Sequence, residues 1–308
     1  MSAKTWDMPD GIYTALVTPF KNDEIDRKAW EVLVQRQIDG GVSGVVPVGC
    51  TGEAATLTSD EKEWLVRTAV DLTRGKCAVI AGSGSNSTAV TVEQTKQVKE
   101  WGADAAMLIS PYYNKPQQQG LLAHFRHVAR SVDIPIVLYN VPGRTAVNIL
   151  PETAAELSAE PNIVALKEAS GDLAQIEEAI ARCDLKVFSG DDGLNFQVFG
   201  LGGHGAISVV SNLLPGAMSR FWHAWAKGDI NQAWPMSRAF DPVTNACFVE
   251  ANPVPVKEML SMANICQRDP RLPLVHVNEQ TLTTLVQFYE STLHELLARD
   301  LTGTAATS

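Results

Sequence analysis

The 308-residue chain has little cysteine: five residues, at 50, 77, 183, 247 and 266, odd in number and with no CxxC spacing. Neither a disulfide framework nor a zinc site follows from that pattern. No apolar run approaches the roughly 20 residues that cross a bilayer, and the opening MSAKTWDMPDG lacks the apolar core of a signal peptide. The expectation is a cytoplasmic protein with reduced thiols and no membrane partner. Positive charge is in deficit, 25 Lys and Arg against 35 Asp and Glu for a net charge of −10, which argues against a nucleic-acid partner. His124 and His127 lie three apart on one helical face with no matching carboxylate or third ligand. They read as a solvated face rather than a metal site. The glycines of GSGSN (82–86) lack the third glycine of a dinucleotide fingerprint, and GGHG (202–205) does not follow a strand in the required way. Asp191-Asp192 reads as an acidic helix cap rather than a divalent-ion site. No cofactor and no metal are expected.

Apolar residues make up 45% and charged residues 19%, the balance of a globular protein. From Gly11 onward short apolar runs alternate with longer amphipathic segments. The expected strands are 12–18, 44–49, 77–81, 105–109, 136–139, 163–167, 186–189 and 205–208. Between and after them fit helices at 26–39, 58–72, 87–101, 119–131, 152–158, 173–181, 193–199 and 215–226. Thr58 followed by Glu61 has the spacing of a capping box. Parallel strands joined by crossover helices follow from this order. Eight such pairs in about 220 residues suit an α/β fold of the (β/α)8 TIM barrel type, with a doubly wound open sheet as the rival. After Gly228 the strand signal stops, and 229–250, 254–266 and 279–298 read as helices. The expected organisation is a catalytic barrel over 1–228 and an all-helical C-terminal appendage over 229–308, given to packing or oligomerisation. The polar tail 302–308 is expected to fray.

One lysine sits inside a run that otherwise reads as a buried strand, IVALKEASGD at 163–172. Alternation places Ile163, Ala165 and Lys167 on one face and Val164, Leu166 and Glu168 on the other. Desolvation favours the free amine, and a free amine attacks carbonyls. The bland alternative is a lysine whose stem crosses apolar surface while its head meets water or a carboxylate such as Glu168. The other strand ends bear on that choice, because a parallel barrel gathers its chemistry at the carboxyl ends of its strands. There the sequence places Gly49-Cys50-Thr51-Gly52-Glu53, Ser110-Pro111-Tyr112-Tyr113, Tyr139-Asn140-Val141-Pro142-Gly143-Arg144 and Ser189-Gly190-Asp191-Asp192. Paired glycines let backbone N–H groups approach a carboxylate, although they also suit a tight turn. A strand-end tyrosine can relay a proton, and an arginine beyond the turn can clamp a carboxylate. Tyrosines between prolines could equally be packing or interface anchors.

GCTGE, SPYYNKP, LYNVPGRT, IVALKEASGD, SGDD and GGHGAIS resemble, in order and spacing over roughly residues 11 to 265, the signatures of the dihydrodipicolinate synthase and N-acetylneuraminate lyase superfamily of class I aldolases. The arginine of YNVPGRT looks most like the dihydrodipicolinate synthase branch. The resemblance implies a (β/α)8 barrel with a helical C-terminal domain, assembled as a homotetramer, a dimer of dimers. It implies an imine between Lys167 and pyruvate whose enamine adds to aspartate semialdehyde, on the route to lysine. Carried over residue by residue, Thr51, Tyr139 and Tyr113 would form a proton relay, with Tyr113 reaching in from a neighbouring subunit. Arg144 would bind the semialdehyde carboxylate, and Thr51 with the turn amides the pyruvate carboxylate. Gly190 and Ile207 would line the pocket through backbone. Cys50 stands where the family usually has Thr or Ser, and a thiol is the weaker hydrogen-bond partner. The positions matching the family's lysine-inhibition site are Ser59, Lys62, Asn86, Val90 and Tyr112. Val90 offers no carboxylate there and Lys62 would repel an ammonium, so weak or absent inhibition by lysine is expected. Two other readings stand beside this one: another pyruvate-dependent aldolase or sugar-acid dehydratase of the superfamily, and a catalytically silent oxo-acid-binding paralogue.

Overall fold

A computed structural model describes residues 6–300. Eight parallel strands form a closed barrel in the order β1-β10-β9-β8-β7-β6-β5-β4, so the open-sheet alternative is set aside. They are β1 (Gly11–Ala15), β4 (Gly44–Val46), β5 (Ala78–Gly82), β6 (Ala105–Ile109), β7 (Ile136–Asn140), β8 (Ile163–Glu168), β9 (Lys186–Ser189) and β10 (Gly205–Ser208). The two remaining strands, β2 (Phe20–Lys21) and β3 (Glu24–Ile25), pair as a small hairpin that the sequence reading passed over. Its signal was Asn22-Asp23, both at positive φ (53° and 64°), the pair of left-handed residues that a two-residue hairpin turn requires.

The crossover helices are α1 (Arg27–Asp39), α2 (Ser59–Thr73), α3 (Thr88–Glu100), α4 (Gln118–Ser131), α5 (Pro142–Thr145), α6 (Pro151–Leu157), α7 (Leu173–Arg182), α8 (Asn195–Gly200) and α9 (Pro215–Ala226). Their starts follow local chemistry. The Asp26 carboxylate accepts from Ala29 N at 3.1 Å to open α1, and the Thr58 hydroxyl and Glu61 carboxylate close the expected capping box of α2. Strands β1 and β4 stop short of the expected 18 and 49. The Val17 N–H is taken by the Asn212 side chain, and Val48 turns the chain through the left-handed region at φ 50°. The late helices are α10 (Ile230–Cys247), α11 (Val254–Met262), α12 (Glu279–Phe288) and α13 (His294–Asp300), the last two joined through a π turn at Tyr289–Leu293. The tail 302–308 lies outside the described residues. Among the described residues no helix is long and apolar enough to cross a membrane.

The chain forms two compact units. The first comprises Val79–Ile207 with the amino-terminal residues up to Asp10, and it carries β5 to β9 in unbroken parallel pairing. The second comprises Gly11–Ala78 and the chain from Ser208 onward. There β1 pairs with β4, and the buried Asp300 carboxylate at the end of α13 accepts from Gly216 N and Ala217 N at the start of α9 (3.1 and 2.6 Å). Burial pushes that carboxyl up while the two amides and Arg220 pull it back.

His124 corrects the sequence reading. It is buried on α4, not part of a solvated face, and one ring nitrogen meets the Thr88 hydroxyl at 2.9 Å. Desolvation, with the neighbouring His127 adding to it, pushes its pKa down to about 4. Between that value and the ordinary 6.5 the unfolded chain binds the extra proton, so this group's contribution to stability is present near neutrality and is lost as pH falls through the window. The loss is roughly 3 kcal/mol once both states are protonated. Urea unfolding at neutral pH and near pH 4 is therefore expected to show a smaller acid loss for His124→Gln than for the wild type.

Candidate active site

Within the first unit, Lys167 stands on β8 directly opposite Tyr139 on β7 and Phe188 on β9 in the parallel register. Partners in register share a face of the sheet. The Lys167 ammonium nitrogen lies 4.3 Å from the centre of the Tyr139 ring, and both side chains are 5% exposed. Every residue of β8 is buried, so alternation alone could not have shown which face carries the lysine. Glu168, pointing to the other face, accepts from Asn140 Nδ2 at 2.9 and 3.1 Å and from Ser170 N at 2.7 Å. Burial pushes the Glu168 carboxyl up, although those bonds and Gln175 oppose the shift. Asn140 also donates to Asn148 and accepts from Ile149 N at 2.9 Å. This buried network locks the end of β7 to the segment that follows Arg144.

Gly190 follows β9 beside the lysine. A Cβ there would fall 2.7 Å from the Ala169 Cβ and 3.0 Å from the Lys167 Cε, so only glycine leaves the lysine stem its room. Ile207 is buried on β10. Arg144 lies on the single turn of α5 with its side chain exposed. Tyr113 is held at φ 74° and is 88% exposed. A bulky side chain at positive φ costs energy, and such outliers gather at functional positions.

In the second unit, the loop after β4 carries Cys50, half-buried, and Thr51, buried. The Thr51 hydroxyl accepts from Asn252 Nδ2 at 2.9 Å. Thr18 Oγ1 donates to Gly52 O at 2.7 Å. Two residues on, Glu53 is left-handed at φ 52° and its carboxylate takes the Lys257 ammonium at 2.7 Å and Arg271 N at 2.9 Å. The sequence reading found neither Asn252 nor Lys257. The only local hint was a second lysine in an apolar run, NPVPVKEML, and an asparagine before a proline. Ser59 and Lys62 open α2 in this unit, and burial pulls the Lys62 ammonium down. Asn86, Val90 and Tyr112 belong to the first unit, where the Asn86 carbonyl accepts from Asn114 Nδ2 at 2.8 Å and Val90 is exposed on α3.

The model of the Dihydrodipicolinate synthetase family matches residues 8–291. The chain belongs to that family. It is 45% identical over 281 residues to a 4-hydroxy-tetrahydrodipicolinate synthase of Thermotoga neapolitana, a match that covers 89% of this chain and 96% of that protein. The crystal structure of dihydrodipicolinate synthase from Thermotoga maritima superposes with a TM-score of 0.91 at 40% identity, covering 93% of this chain and 100% of that one. The chloride-inhibited dihydrodipicolinate synthase of Acinetobacter baumannii, solved with pyruvate, superposes with a TM-score of 0.89 at 38% identity, covering 92% and 98%. Membership of the dihydrodipicolinate synthetase family fits a barrel whose buried strand lysine faces a tyrosine.

Proposed function

We propose that this chain condenses pyruvate with aspartate 4-semialdehyde to give 4-hydroxy-tetrahydrodipicolinate, the activity in the name of its Thermotoga neapolitana relative. The observation that carries the reading is the Lys167 amine, buried on β8 and 4.3 Å from the Tyr139 ring. The lysine nitrogen attacks the keto carbon of pyruvate, and water leaves to give an imine. Loss of a methyl proton gives the enamine, whose carbon adds to the aldehyde of the second substrate. The substrate's own amine then closes on the imine carbon and releases Lys167. Carbinolamine dehydration needs an acid beside the lysine, and Tyr139 is the phenol at that place. The protonated imine serves as the electron sink, a role for which these steps call on no further group.

In the same reading Thr51 and Tyr113 complete the proton relay. The Thr51 hydroxyl, Cys50 and the turn amides receive the pyruvate carboxylate, and Gly190 and Ile207 border it. Tyr113, exposed in a single chain and held at positive φ, would enter the site of a second copy, which is the support for a homotetramer built from dimers. The cytoplasm suits such a biosynthetic enzyme. A catalytic barrel over 1–228 and a helical domain over 229–308 complete the proposal, supported by the absence of strands among the described residues after β10.

Incubation with pyruvate and aspartate semialdehyde is expected to yield a product of their combined mass less one water. Pyruvate consumption only with sugar-derived aldehydes would favour another aldolase of the superfamily, and no turnover a silent paralogue. Arg144 decides between aldehydes in this account. Arg144→Ala is expected to raise the KM for the semialdehyde by on the order of a hundredfold, the loss of a two-point charge-assisted contact, while the KM for pyruvate stays within about twofold. Unchanged semialdehyde kinetics would contradict the assignment. Lysine is expected to inhibit weakly or not at all, since Val90 supplies no carboxylate and Lys62 places a like charge; a micromolar inhibition constant in steady-state assays would overturn that.

A further inference from the structure

The carboxyl-terminal segment does more than pack. Asn252, just ahead of α11, and Lys257, within it, both reach the loop that carries Thr51, at two points two residues apart. Asn252 and Thr51 are both nearly fully buried, and the Lys257 and Glu53 side chains wholly so. The Glu53 carboxylate is held from two directions, by the Lys257 ammonium and by the backbone N–H of Arg271. The stem of the loop is therefore fixed, and the polarity of its one hydroxyl remains to be set.

A hydroxyl has one proton to donate and two lone pairs to accept with. At Thr51 one lone pair is filled by the Asn252 Nδ2–H. The Thr51 proton must then be donated away from Asn252. We propose that Asn252 is a positioning residue that orients the Thr51 hydroxyl as an outward proton donor. This rests on Thr51 belonging to the relay proposed above. A donor at position 252 is essential to that role, whereas a carboxylate of the same shape would accept the Thr51 proton and turn the hydroxyl inward. Asn252→Ala frees the hydroxyl to rotate; Asn252→Asp holds it reversed.

The test compares the two variants by kcat per active site, with active sites counted by borohydride trapping of the pyruvate imine, so that any loss of folded protein is divided out. Asn252→Ala is expected to lower kcat about tenfold and Asn252→Asp about a hundredfold, the scale of one misdirected proton transfer, with the KM for pyruvate within about threefold of wild type. The Asp variant should regain activity as pH falls, since its protonated carboxyl can again donate. In a Thr51→Val background neither substitution should cost anything further. A role in packing alone predicts equal losses for Ala and Asp, a fall in thermal stability that tracks them, and additive losses with Thr51→Val; that outcome overturns the proposal. If the wild type itself traps no pyruvate, the imine reading fails. If the wild type traps and turns over while both Asn252 variants match it, only the role of Asn252 fails.

Discussion

Lys167→Ala is expected to retain less than about one part in ten thousand of wild-type turnover, the scale seen when a covalent nucleophile is removed, while its unfolding transition stays cooperative. The expectation rests on a contrast between two lysines that share the same half of the barrel. Lys186 opens β9, and its ammonium contacts Met8 O at 2.7 Å, Asp10 at 2.9 Å and Asp7 at 2.7 Å. Desolvation draws its proton affinity down, but the two carboxylates outweigh it and hold the ammonium above its ordinary value. That lysine is kept charged and cannot act as a nucleophile near neutrality. Lys167, paired with Phe188 two register positions further toward the carboxyl ends of the strands, sits against an aromatic ring with glycine beside its stem. Substantial activity in Lys167→Ala, measured as product formed from pyruvate and the semialdehyde, would remove the nucleophile from the account.

Lys257→Met is expected to cost about 3–5 kcal/mol in denaturant unfolding, because it leaves the Glu53 carboxylate buried with its ammonium gone. The pair is wholly enclosed, and the Phe20 ring lies 4.4 Å from the lysine nitrogen. Burial pulls the Lys257 ammonium down, and Glu53 is foremost among the groups that oppose it. Adding Glu53→Gln to Lys257→Met should recover a large part of the loss, since the charge needing compensation is then removed; two simply additive losses would show that the pair is not the source of the effect. The single variant is also expected to lose catalysis beyond its loss of folded protein, because the Glu53 anchor fixes the loop of Thr51.

The sequence carried the periodic part of this fold and the local chemistry of its strand ends. The expected strands at 105–109, 186–189 and 205–208 have the bounds of β6, β9 and β10, and the capping box of α2 forms as its spacing implies. Lys167 and Tyr139 could be singled out because each interrupts or ends a run of apolar residues. What was hidden depends on contacts across the chain. Asn252 meets Thr51 across 201 positions and Lys257 meets Glu53 across 204, and no local pattern encodes a partner that distant. The carboxyl-terminal helices therefore read from sequence as given to packing or oligomerisation, although Asn252 just ahead of α11 and Lys257 within it reach the Thr51 loop. His124 was misread for a different reason. The missing third ligand argues against a metal but says nothing about burial, whereas the histidine's place between Leu121 and Val128 on the apolar stripe of α4 puts it inside.

The central claim is that Lys167 forms an imine with pyruvate. Borohydride reduction of the wild-type protein in the presence of pyruvate, followed by digestion and mass spectrometry, tests it most directly. The account predicts one reduced pyruvate adduct per chain, on the peptide that contains Lys167 and not on the one that contains Lys186. An unmodified Lys167 peptide, or an adduct placed on another lysine, would contradict it.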